Sequence, residues 1–382
     1  MKALVLAGGK GANMLPLSKD YPKVLLRVAG RAVLDYVLDG IISQGVRDLV
    51  VVVSDGRVEE HVLRKWGIYS TVVYQEESGL EGALFSAAEY LERGESFLLA
   101  YGDIVAPREF YRLVLSTYSS TGADAVLSTV PVTDVESYGI AVVEDAVVRD
   151  VVHEPSKAAL GSSYALAGAY VLPYAIIELL ERENTLPSAL SELVRMVRTA
   201  SALWTGYWVD VGYPWDVIAA SYYVLRELKE SRVSSRAKIA PTAVIEGPVV
   251  IEEGAVIDHF AVIKGPVYVG KRAFVGMSAF VREYTCIEEG AVVGAFTEVK
   301  RSSLQPESSV GSYALVTDSV LGHGAVIEPR VTTMNKLPEE KKVLRELPVQ
   351  GVVKKLRKLG AFLGPRARVP AGTVLQPLTK VE

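Results

Sequence analysis

Between Leu6 and Lys23 the chain gathers residues suited to holding a polyanion. The apolar run Ala3 to Ala7 stops at Gly8 and Gly9, and Gly11 follows two positions later. Residues without a Cβ let the backbone turn sharply and bring its N–H groups against an anion, which makes this segment a phosphate cradle. Lys10 and Lys23 add mobile positive charge. Farther along, Gly102 and Asp103 directly follow the apolar run FLLAY, so the Asp103 carboxylate emerges where a strand ends.

Such residues need a scaffold, and the order of the elements supplies one. From Ala3 to about Val130, apolar runs (ALVLA, DLVVVV, TVVY, FLLAY, AVLSTV) alternate with helical spacing at Val33, Leu34, Val37, Leu38 and Ile41, then at Leu84, Ala87, Ala88 and Leu91. This βα alternation predicts a mostly parallel sheet with its ligand site at the carboxyl ends of the strands, where Gly8 to Lys23, Asp103 and the turn after Tyr74 all fall. After a helical stretch around Trp215 to Lys229 the period changes. Aliphatic residues recur every six positions through Ile239, Ile245, Ile251, Ile257, Ile263, Val269, Val275, Val281, Ile287, Val293 and Val299, each with a small or β-branched residue two before it. Neither a helix nor a hairpin has that period, but a coil of three short flat strands does. The pattern resembles the left-handed parallel β-helix of hexapeptide-repeat proteins. It slips by one residue at Leu304, Val310 and Val316 and resumes at Leu363, Val369 and Leu375, with a charged loop or arm from about 335 to 358. Two domains follow, 1–229 and 230–382, as a length of 382 residues also suggests.

Bulk composition excludes several classes. Nearly half of the residues are apolar and the net charge is only −4, without a long run of one sign, so neither a nucleic-acid surface nor a membrane surface is expected. No apolar run has the length of a membrane span, which predicts a cytoplasmic location. Cys286 is the only cysteine, which leaves no internal disulfide and no thiolate zinc cluster.

The opening ALVLAGGKGANMLPLSKDYPKVLL resembles that of the sugar-1-phosphate nucleotidylyltransferases, roughly LAGGxGTRLxPLTxxxPKxLL, with Gly8, Gly9, Gly11, Pro16, Leu17, Pro22 and Lys23 in register. With the hexapeptide repeats, the whole chain resembles the bifunctional N-acetylglucosamine-1-phosphate uridylyltransferases/glucosamine-1-phosphate acetyltransferases and archaeal sugar-phosphate nucleotidyltransferases. The resemblance implies an α/β, Rossmann-like domain followed by the β-helix. It also implies transfer of a nucleotidyl group from a nucleoside triphosphate, UTP or dTTP favoured, to a sugar 1-phosphate, with release of pyrophosphate and dependence on Mg²⁺. By the same resemblance Lys23, Lys10 and Asn13 occupy catalytic positions. Leu6, Ala7, Gly8, Gly9, Gly11, Gln75, Gly79 and Gly102 bind the nucleotide, Gln75 reading the base edge. Gly139, Glu154 and Gly168 face the sugar phosphate, Gly168 in a turn. Asp103 and Asp210 hold the metal, Asp210 lying in GYWVDVGYPWD. A homo-oligomer, a trimer, or association with a paralogue is expected.

Several positions depart from the family pattern. Asn13 stands at a catalytic arginine, Leu80 where a hydroxyl is expected, and Glu154, in His153 to Pro155, where a lysine is expected. An arginine acting on a transferring phosphoryl group is worth roughly 10³ to 10⁵ in rate. Lys10 and Lys157 are the cations nearest in sequence to these gaps, but a lysine does not reproduce a bidentate fork. An alternative is therefore a catalytically impaired paralogue that binds nucleotide or sugar phosphate and regulates a related partner. The segment Gly311 to Asn335 resembles the acetyltransferase half of the bifunctional enzymes in Asp318, Ser319, Gly322 and Asn335, and KLGAFLG at Lys358 to Gly364 resembles a later stretch. Ser312 replaces their catalytic histidine, which disfavours acetyl transfer because a lone serine is a poor base. His323, between Gly322 and Gly324, reads as a loop residue.

Overall fold

The computed structural model describes residues 1–132, 138–152, 164–337, 346–349, 352–355 and 358–382. They pack as two compact units that are not continuous in sequence. The first contains Met1–Lys10 and Leu34–Trp208, and the second contains Gly11–Val33 with the residues from Val209 onward that form the β-helix. A cut near residue 229 assigns 11–33 and 209–229 to the first half by sequence order, whereas packing assigns both to the unit of the β-helix.

The first unit is built on a nine-stranded mixed sheet. Its strands are β1 (Ala3–Leu6), β2 (Leu49–Val53), β3 (Ser70–Tyr74), β4 (Ser96–Tyr101), β5 (Ala125–Pro131), β6 (Ile140–Glu144), β7 (Val147–Val152), β8 (Tyr164–Pro173) and β9 (Thr199–Leu203). Their order is β3-β2-β1-β4-β8-β5-β9-β7-β6. β1 and β2 are buried at every residue, which is why they read as unbroken apolar runs, while β3 is partly exposed at the edge. Strands β1 to β4 of this sheet pair in parallel, but β8 runs antiparallel between β4 and β5. Helices α1 (Val33–Ile42), α2 (Gly56–Trp66), α3 (Leu80–Ala87), α4 (Arg108–Thr121), α5 (Ala175–Glu183) and α6 (Leu186–Met196) complete the alternation. α3 stops at Ala87 and tightens into a 3₁₀ turn through Ala88–Tyr90, one turn short of the span its apolar spacing suggests. Leu84, Leu99, Leu127, Tyr170 and Leu190 belong to one buried cluster.

In the second unit three parallel sheets of eight, seven and seven strands stack as a left-handed β-helix. Val249 pairs with Val267 and Val267 with Thr285, so one coil takes eighteen residues, three times the period seen in the sequence. The inward aliphatics form a continuous buried column from Ile251 to Leu375. The one-residue slip at Leu304 is a shortened corner, with Ile287 pairing with Leu304. A second shortened corner brings Leu304 onto Leu321, and a coil through Leu321, Ile327 and Thr333 follows that the strict six-residue count passes over. Serine hydroxyls fill these corners. Ser302 Oγ accepts from Ser319 N–H at 3.2 Å, and Ser319 Oγ accepts from Ala361 N–H at 2.9 Å. Leu321 pairs next with Leu363; in the long insertion between them Glu346–Val349 and Val352–Lys355 form an antiparallel hairpin that is grouped with the first unit. Helix α7 (Asp216–Arg226) lays Leu225 against Val250, Tyr268 and Cys286 of the coils.

Candidate active site

At the carboxyl end of β1 the backbone is crowded in a way only glycine tolerates. A Cβ on Gly8 would fall inside the van der Waals envelope of Gln75 Oε1, and one on Gly102 would lie 2.7 Å from the Leu6 carbonyl. Ser54 Oγ donates to the Gly8 carbonyl at 2.7 Å, and Gly102 N–H donates to Leu6 O at 2.9 Å. Leu6, Ala7, Gly8, Gln75 and Gly102 are thereby brought together, while Gly9 and Lys10 continue outward and are exposed. Gln75 Nε2 donates to the carbonyls of Glu77 and Gly79, at 2.5 and 2.7 Å, so its amide nitrogen ties the loop ahead of α3. Gly79 opens that helix at φ 106°, and Leu80, in the position of the expected hydroxyl, packs its side chain against the core. Asp103 is half-buried beyond β4, and its negative charge adds to burial in pushing up the hydroxyl of Tyr111.

Gly139 and Gly168 both lie at the same strand, β8, Gly139 against the Leu166 side chain and Gly168 against the Tyr101 ring. Leu166 N–H donates to Gly139 O at 2.9 Å, two residues before Gly168. Gly168 lies inside β8 and not in a turn. The register of β8 on β5 shifts between Leu166 and Tyr170, and Gly168 has φ +77° with its α-carbon against the Tyr101 ring. Such a bulge needs the left-handed region, which glycine enters without strain. Tyr170 Oη accepts from Gly168 N–H at 3.1 Å, Trp208 Nε1 donates to Ala167 O at 2.9 Å, and Tyr101 stands edge-on to Tyr170. Tyr101 and Tyr170 escaped the sequence reading because they sit in runs that look like plain core, whereas Trp208 lies in the segment GYWVDVGYPWD that carries Asp210. Glu154, with His153 and Lys157, lies outside the described residues.

The remaining candidates belong to the second unit. Gly11 has φ 67° and its carbonyl accepts from Ser18 Oγ at 2.7 Å. A Cβ there would sit 3.3 Å from Lys23 Cδ, so the lysine stem runs beside Gly11. Asn13 is exposed in the 3₁₀ turn Ala12–Met14, and Lys23 opens a second such turn, Lys23–Leu25. Asp210 ends the strand Val209–Asp210 and is half-buried. The turn after it is held by Asp216, whose Oδ2 accepts from Gly212 and Tyr213 N–H at 3.0 and 2.7 Å, a role legible only in hindsight from its place at the start of α7.

Asp103 and Asp210 are hard-oxygen donors, and among the described residues no three His, Cys, Asp or Glu side chains gather as a ready-made cage. Either carboxylate by itself suits magnesium, which takes one or two carboxylates and leaves its other positions to water and phosphate oxygens. In the β-helix, Asp318 receives Arg301 at 2.8 and 3.1 Å and Asn335 Nδ2 at 2.6 Å, so two of the positions shared with acetyltransferases link neighbouring coils. His323 is not a plain loop residue. It stacks on Tyr21 with centroids 5.6 Å apart, and burial lowers its basicity.

Residues 2–227 match the family described as nucleotidyl transferase, more than half of the chain. The chain belongs to the nucleotidyl transferase family. A bifunctional protein GlmU of Methanocaldococcus jannaschii is 26% identical over 392 aligned positions, covering 100% of this chain and 92% of the relative. A bifunctional sugar-1-phosphate nucleotidylyltransferase/acetyltransferase of Sulfurisphaera tokodaii is 27% identical, covering 100% of this chain and 94% of the relative. The solved structure of UDP-glucose pyrophosphorylase from Acinetobacter baumanii superposes with a TM-score of 0.51 at 24% identity, over 60% of this chain and 94% of that one, a likeness of fold.

Proposed function

We propose that this nucleotidyl transferase joins a nucleoside triphosphate, UTP or dTTP, to a sugar 1-phosphate and releases pyrophosphate. The observation that carries the reading is the crowding at Gly8, where a bare backbone ends a buried strand under a glutamine amide. Full-length similarity to relatives named for sugar-1-phosphate transfer supports the substrate class. In this reading the amides of Gly8 to Gly11 donate to the phosphates, and Lys23 with Lys10 offsets charge where two polyanions meet. The Gln75 amide reads the base once its nitrogen leaves Glu77 and Gly79. Gly139 and Gly168 leave room for the sugar, and Glu154, at the family's sugar-phosphate position, lies outside the described residues. Asp103 and Asp210 would hold Mg²⁺, which supplies charge neutralisation at the triphosphate when bound. The test is pyrophosphate release across UTP, dTTP and other triphosphates with a panel of sugar 1-phosphates and Mg²⁺. A metal-dependent nucleotide sugar is expected, and no product with any pair would overturn the reading.

A second reading, an impaired paralogue that binds the ligands and regulates a partner, is favoured by Leu80 turning into the core and by the neutral, exposed Asn13. Asn13→Arg together with Glu154→Lys separates the two: turnover appearing in a silent parent supports the binder, and a parent already active excludes it. The proposal includes a cytoplasmic homo-oligomer, a trimer through the β-helix.

A further inference from the structure

The segment Gly11 to Val33 carries Lys23 and Asn13, and it packs in one compact unit with the β-helix. Its attachment is specific at both ends. The Gln305 side-chain amide, almost fully buried, pairs with the backbone of Arg27 as a strand would: Arg27 N–H donates to Oε1 at 2.7 Å and Nε2 donates to Arg27 O at 2.9 Å. Arg27–Val28 and Arg31–Ala32 form a hairpin with Ala29 and Gly30 at its tip. Gly30 N–H donates to Glu288 Oε2 at 2.9 Å, and a Cβ on Gly30 would collide with the Tyr268 hydroxyl. Glu288 is 1% exposed, and the hairpin tip gives it a partner there. At the other end Tyr21 stacks on His323, and a Cβ on Gly364 would lie 3.0 Å from Pro16 O. Lys19 also pairs with Glu382 at 2.8 Å, but both are exposed and the pair adds little.

Buried amides and carboxyls are costly unless bonded, so Gln305 and Glu288 are out of place in an aliphatic coil that only stacks. Both bond the segment that holds Lys23, and Gln305 Nε2 donates as well to Ser303 Oγ at 2.7 Å within the coil. We infer that Gln305 and Glu288 are positioning residues for nucleotidyl transfer, by which the β-helix sets the placement of Lys23 and Asn13. The β-helix is then part of the transfer machinery as well as a scaffold. This rests on the proposed function, since it gives those two residues a reaction to serve.

The experiment compares Gln305→Met, Glu288→Met and Glu288→Gln in the full chain. Hydrogen exchange is read at the Arg27 and Gly30 amides, and kcat and KM with the triphosphate and sugar phosphate that the wild type turns over best. Both Met variants are expected to speed exchange at those amides at least tenfold and to lower kcat by about 10- to 100-fold, since a displacement near 1 Å costs roughly 10² in rate. KM changes little, and exchange in the coil strands stays slow, which shows that the fold is kept. Glu288→Gln retains an acceptor for Gly30 N–H and keeps both readings near wild type. An active wild type whose Met variants keep kcat, or keep slow exchange, overturns this inference and leaves the proposed function standing. A wild type that turns over no pair overturns the proposed function, and this inference with it.

Discussion

A Cβ on Gly8 would meet the far end of the Gln75 side chain, with no backbone atom as close. Gly8→Ala therefore moves a flexible side chain and not the sheet. Calorimetric titration with UTP or dTTP is expected to show at least tenfold weaker binding, with the melting temperature falling by only a few degrees. Unchanged affinity would remove Gly8 from the nucleotide site. Glu288 makes a different prediction. Burial pushes its carboxyl up to about 8 from an ordinary 4.5, against the opposing pull of Arg27 and the hairpin amides. The folded chain thus binds a proton that the unfolded chain releases between those values. This contribution to stability is complete below about pH 4.5 and fades as pH rises through 8. Glu288→Gln removes the titration, so urea unfolding at pH 6 and pH 9 should show a smaller loss of stability in the variant than in the wild type.

Among the elements, β1 and β2 could be read directly because strands buried on both faces leave unbroken apolar runs. The coil ladder was legible for a similar reason, since each inward position meets the same column. β8 was not. Its bulge at Gly168 interrupts the alternation, and it joins the sheet antiparallel between β4 and β5, a placement that chain order does not encode. The shortened corners also hid a coil, because a five-residue step breaks a count of six. Gly360 marks one of them, where a Cβ would collide with Ser319 Oγ and the Thr317 carbonyl. Gly360→Ala is expected to destabilise the β-helix by about 1–3 kcal/mol through overpacking, measured by urea unfolding. α1 and α2 are joined by Asp35, fully buried, which accepts from His61 Nε2 at 2.8 Å, Lys65 Nζ at 2.8 Å and Trp66 Nε1 at 2.9 Å. Burial alone would raise this carboxyl, but those hydrogen bonds and the His61 charge outweigh it and hold it well below its ordinary value of 3.8. Its contribution to stability is present above that value and is lost as pH falls through the lower folded one. Asp35→Ala, which leaves the His61 and Lys65 groups without their shared acceptor, should cost about 3–5 kcal/mol at neutral pH.

For the whole molecule, fold class and family were legible because both depend on patterns repeated many times. The candidate site was legible only where glycines and an acid end strands. Gln305, Glu288 and His323 act on residues roughly 260 to 300 positions away, and no local period signals such a pairing. Among the described residues no helix is long and apolar enough to cross a membrane. Light scattering on the 41.3 kDa chain is expected to give a trimer, and a monomer at micromolar concentration would remove the proposed β-helix association. The account as a whole depends on transfer at the Gly8 cradle. It is tested most directly by following pyrophosphate release with UTP and dTTP against a panel of sugar 1-phosphates, with and without Mg²⁺. A nucleotide sugar formed only with the metal, and lost in Lys23→Ala, is the predicted result; no product from any pair, or product undiminished in Lys23→Ala, would contradict it.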